Sequence, residues 1–132
     1  MKITRFVLFA LAAILIALGS PFAADEKEKP SVIEGEMVDM KCYLGMGMGG
    51  GGKHNKCAVK CAESGIPAAV VEKGTGKVYT VLGPSKGFAQ FMGKTVRITG
   101  ATADKSMAII PEKLQVKEGD KWVEGKLPGS MM

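Results

Sequence analysis

Three cysteines and one histidine, Cys42, His54, Cys57 and Cys61, fall in the stretch CYLGMGMGGGGKHNKCAVKC, and the chain has no other cysteine or histidine. Three sulfurs and an imidazole form a ligand set used for tetrahedral zinc. Eleven residues separate Cys42 from His54, two separate His54 from Cys57, and three separate Cys57 from Cys61. This is not the spacing of a standard zinc finger, yet a helix through residues 54–61 would place His54, Cys57 and Cys61 along one face. Thiolate and thioether donors also suit copper(I), and Met46 and Met48 lie in the same stretch. An iron–sulfur cluster accepts such ligands too, but it would have to be assembled after export. The absence of Cys-x-x-Cys-His argues against covalent c-type haem.

Two other chemistries compete with metal binding. A disulfide from Cys42 to Cys57 or Cys61 would close a loop worth about 3 kcal/mol in the chain-entropy account. Thiol redox work is the third, without the usual Cys-x-x-Cys pair. An odd number of cysteines in an oxidising compartment leaves one over if they pair, which argues against a purely structural bridge. A cysteine in the first turn of a helix is expected to have its thiolate stabilised by the helix dipole.

The neighbouring residues read more plainly. His54 alone would be a loop residue, and its place among the cysteines is what makes it a candidate ligand. Met46 and Met48 read as loop side chains, Tyr43 as a cover beside Cys42, and Lys53, Lys56 and Lys60 as a basic rim on a solvated helix face. The glycine run lacks the Gly-Lys-Ser/Thr ending of a phosphate-binding loop. No paired carboxylates or serine–histidine arrangement stands out, so the sequence leans away from an enzyme.

Several elements must hold these residues. Residues 32–43 suit a long bent strand with a bulge near Gly35. The following glycine-rich stretch, LGMGMGGGGK, reads as a flexible loop without helix or strand, because glycine loses the most backbone entropy on ordering. Asn55 is an N-cap candidate for a short helix that Gly65 and Pro67 end. Residues 68–72 and 77–82 form a hairpin about Lys73-Gly74-Thr75-Gly76. A short helix over 84–92 turns Phe88, Phe91 and Met92 to the core. Residues 94–102 alternate as a strand, with Val96, Ile98 and Gly100 on one side. A turn at Asp104-Lys105 leads to strand-like residues 107–110 and, past Pro111, 114–116. Trp122 and Val123 suit an edge strand, and Met37, Met40, Met92 and Met107 suit core filling.

The fold class is therefore mainly β with short helices (α+β). In its element order the chain resembles the OB-fold, a five-stranded Greek-key barrel with a helix between its third and fourth strands. The resemblance covers residues 31–118 and extends to small exported bacterial OB-like proteins. It implies that the Cys-bearing helix is inserted between strands 1 and 2, beside the usual ligand-binding face of that fold.

Length and composition set the frame. The chain has 132 residues, enough for one domain. Lys2 and Arg5 precede an apolar run over 6–18, then Ala23-Ala24 and a charged stretch, which is the layout of a secretory signal peptide. The expected division is a signal peptide at 1–24, a linker at 25–30, an OB-like domain at 31–124 and a flexible tail at 125–132. Removing residues 1–24 takes two of 18 basic residues and none of 13 acidic ones, leaving a net charge of +3. The expected location is periplasmic or secreted, with no stable membrane anchor after cleavage. The expected partners are a metal ion (zinc or copper(I)) and a periplasmic protein. Nucleic acid is disfavoured by export, modest charge and few aromatics. The metal would serve a carrier, a sensor or a structural centre.

Overall fold

β1 (Ser31–Asp39) alternates inward Ile33, Gly35 and Met37 with outward Val32, Glu34 and Glu36, the period-two pattern of a strand buried on one face. The computed structural model describes residues 30–47, 55–102 and 106–129. The expected signal peptide, most of the linker, the glycine run with His54, the Asp104-Lys105 turn and the last three residues lie outside the described residues.

The remaining elements are α1 (Met40–Met46), α2 (Asn55–Glu63), β2 (Ala68–Glu72), β3 (Val78–Val81), α3 (Ser85–Phe88) running into a 3₁₀ turn (Ala89–Phe91), β4 (Thr95–Thr102), β5 (Ala108–Glu118) and β6 (Lys121–Gly125). β1 pairs antiparallel with β4 through Ser31 to Glu36 and with β2 through Gly35 to Asp39. β2 continues to β3 and β4 to β5, and a parallel pairing of β3 with β5 closes the ring. The result is the five-stranded OB-like barrel expected from element order, with a Cys-bearing helix between β1 and β2. β6 extends the sheet beyond β5, as Trp122 and Val123 implied. Trp122 lies under the Arg97 guanidinium, 4.1 Å from its ring centroid, and Arg97 also pairs with Glu34 at 2.9 Å.

The core is aliphatic with two phenylalanines. Met37, Val70, Val96, Ile98, Ile109 and Leu114 fill the barrel, and Phe88, Phe91 and Met92 join the same core as expected. Ala58 and Ala62 bring α2 onto that core, and their small side chains let the helix approach closely.

Four local expectations are corrected. Residues 40–43 continue as helix rather than strand, and the helix takes in Leu44, Gly45 and Met46 from the expected loop. The Asp39 carboxylate caps the helix and Gly47, at φ 61°, ends it, so both termini are satisfied over only seven residues. There is no bulge at Gly35, because both of its pairings run in unbroken register. Gly35 is needed for proximity instead, since a Cβ there would stand 1.9 Å from the Val71 carbonyl oxygen. The irregularity falls between Thr99 and Gly100, where β4 meets the Pro111 segment of β5. Met107 is exposed rather than core filling, because it precedes the first inward position of β5. At the C-terminal end, Gly125 still pairs with Leu114 and Leu127 packs against the core, so ordered contact continues past residue 124.

Candidate metal centre

The site begins where β1 stops. Asp39 is 2% exposed, and its Oδ1 accepts the Cys42 backbone N–H at 2.9 Å. That bond satisfies an otherwise orphaned amide of the first helical turn. The Met40 N–H donates to the Pro67 carbonyl at 3.0 Å, tying the start of α1 to the entry of β2. Cys42 is thus buried in the first turn of a helix anchored at two points.

α2 supplies the other two sulfurs. Ala58 and Ala62 form its core-facing row, and Cys57 and Cys61 form the adjacent row one residue earlier. The offset leaves Cys61 half-buried and Cys57 exposed. The helix ends in a paired-turn motif: the Gly65 N–H donates to the Ala62 carbonyl and the Ile66 N–H to the Cys61 carbonyl, both at 3.0 Å. Gly65 takes φ 92° there, which glycine adopts without a Cβ penalty.

These two helices bring the three sulfurs together. Cys42 Sγ and Cys57 Sγ stand 3.6 Å apart, and all three Sγ atoms lie within 4.8 Å of one another. Sulfurs at 2.3 Å from a tetrahedral zinc would be separated by about 3.8 Å. A disulfide needs about 2.05 Å, and all three cysteines are free thiols. His54, the fourth expected ligand, lies outside the described residues, as do Met48 and Lys53. Met46 is exposed one helical turn beyond Cys42, and Lys56 and Lys60 are exposed on α2. Tyr43 does not follow Cys42 into the cluster; it lines a separate shallow cleft with Glu36, Val71, Lys73 and Thr95.

The electrostatics reverse the expectation of dipole-stabilised thiolates. The Cys42 thiol is pushed up to about 12, first by its contact with Cys57, then by burial and by the Asp39 charge. Burial chiefly raises Cys61 as well, with Asp39 adding to it. Thiols held protonated at neutral pH are weak nucleophiles, which weighs against thiol-exchange chemistry. Such thiols are still compatible with a metal site, because a cation can displace their protons.

Asp39 is the site residue that sequence reasoning missed. Its signal was present, because an aspartate directly before a helix start is an N-cap candidate. Reading residues 40–43 as strand concealed it. No protein-family model matches this chain, and neither a curated protein nor a solved structure matches it.

Proposed function

We propose that this is an exported protein that binds a thiophilic metal ion, zinc or copper(I), through Cys42, Cys57 and Cys61, with His54 as the fourth ligand. The observation that carries the reading is the convergence of three sulfurs within 4.8 Å from two separate helices. The buried Asp39 carboxylate adds support, since a cation over the sulfurs supplies positive charge where burial makes negative charge costly. The amino-terminal pattern of Lys2, Arg5 and the apolar run supports export to the periplasm or beyond. A metal ion is the proposed ligand, and a periplasmic protein is the proposed partner in its delivery or use. The raised thiols favour holding an ion over turnover.

The test is elemental analysis with thiol counting on protein taken from the exported fraction. Stoichiometric zinc or copper, with no disulfide by mass, is the expected result. His54→Ala is expected to weaken metal retention; undiminished retention would remove His54 from the ligand set. The 3.6 Å contact between Cys42 and Cys57 favours one other reading, a disulfide-stapled OB-like binding module. Metal-free protein two mass units below its reduced mass would establish that reading instead.

A further inference from the structure

A carboxylate adjoins the three cysteines: that of Asp39, hydrogen-bonded to the Cys42 backbone. Asp39 is the only charged side chain buried among the described residues. Arg97 on the outer face of the sheet pairs with Glu34, not with Asp39. Its carboxylate accepts the Cys42 N–H, and its charge is felt at both the Cys42 and the Cys61 sulfur. Once their protons have left, three thiolates and this carboxylate carry four negative charges. A monovalent ion cancels one of them and a divalent ion two.

On the metal-binding reading proposed above, we infer that Asp39 is a specificity residue that biases the three-thiol site towards a divalent thiophilic cation over monovalent copper. Coulomb attraction scales with the product of the charges, so Asp39 favours a divalent ion twice as strongly as a monovalent one at the same place. Its hydrogen bond to the Cys42 backbone fixes the carboxylate beside the cluster, so the bias is built into the folded chain. Binding of either ion displaces the same thiol protons into solvent, so proton competition cancels from the ratio of the two affinities.

The experiment compares zinc(II) and copper(I) affinities of reduced, metal-stripped protein by chelator competition at one pH, for the parent, Asp39→Asn and Asp39→Ser. Both substitutions keep a capping oxygen for the Cys42 N–H. Removing an outer-shell partner of this kind costs about 10- to 100-fold in metal affinity. The ratio of zinc to copper(I) affinity is expected to fall by about 3- to 10-fold, the square root of that factor, since the two ions differ by one charge. Removing Asp39 also eases loss of the thiol protons, which shifts both affinities alike. A residue that only caps the helix would leave both affinities unchanged in these variants, or lower both by one common factor. Either outcome overturns the inference while leaving the metal site standing. Using two capping variants keeps a folding defect in one of them from deciding the result. A parent protein that binds neither ion overturns the metal reading itself.

Discussion

At the scale of single residues, the raised thiols determine how binding responds to pH. Metal and protons compete for the same sulfurs, so affinity rises with pH, by up to about tenfold per unit for each proton displaced. The slope should be steep around neutrality, because Cys42 and Cys61 are still protonated there in the free protein. Competition titrations at several pH values measure it, and a flat profile would argue against thiol ligation. The metal-free protein should behave oppositely at high pH. The unfolded chain releases the Cys42 proton near the ordinary value of 9.0, whereas the folded chain keeps it to about 12. Folding stability is therefore unaffected well below 9 and declines as pH rises from there towards 12, which denaturation of the reduced protein at stepped pH will show. The shared row of Cys57 and Cys61 on α2 was legible from helical spacing alone. Asp39 was not, because an aspartate acquires this role only when the next residue starts a helix that turns Cys42 towards it.

At the scale of elements, β1 depends on the absence of a side chain. Gly35 lies opposite Glu72 on one side and Val96 on the other, and its missing Cβ makes room for the Val71 carbonyl. Backbone atoms of a neighbouring strand cannot rotate away as a side chain can. Gly35→Ala is therefore expected to destabilise the fold by about 2 kcal/mol or more, read as a lower denaturation midpoint. A change within ~0.5 kcal/mol would mean that the two strands separate easily, contrary to their unbroken register. The hairpin of β2 and β3, the stop at Gly65 and the alternation of β4 were legible because each carries a strong local signal. α1 was hidden by its composition, since Cys42, Tyr43 and Gly45 are weak helix formers and a glycine-rich stretch follows at once. What makes it helical is the cap from Asp39, directly before its start, together with a non-local anchor from Met40 to the Pro67 carbonyl.

At the scale of the molecule, the barrel core and the thiol site are separable. Ile98, Ile109, Leu114 and Val96 are buried without help from the cysteines, whereas α1 adds only Cys42 to the buried set. Removing the metal should leave the β-sheet circular dichroism unchanged while lowering the thermal midpoint. Metal at a hundredfold excess over its Kd contributes about 2.7 kcal/mol, and each kcal/mol moves the midpoint by about 4–8 °C in a domain of this size. Loss of sheet signal on chelation would show that the core needs the ion. Barrel class was legible because strand and helix order survives errors in individual boundaries; the closure between β3 and β5 was not, since no local pattern announces a parallel pairing.

That closure rests on two register pairs, Thr80 with Ala108 and Val81 with Ile109, and on the N–H groups of Thr80 and Leu82 reaching the Met107 and Ile109 carbonyls. Every other junction of the ring is longer. The barrel should therefore breathe at this seam, with the β2–β3 hairpin swinging on β1 as its hinge. Amide hydrogen exchange would then be faster at Thr80 and Leu82 than at Ile98, and the ring would open like a clasp rather than loosen all round.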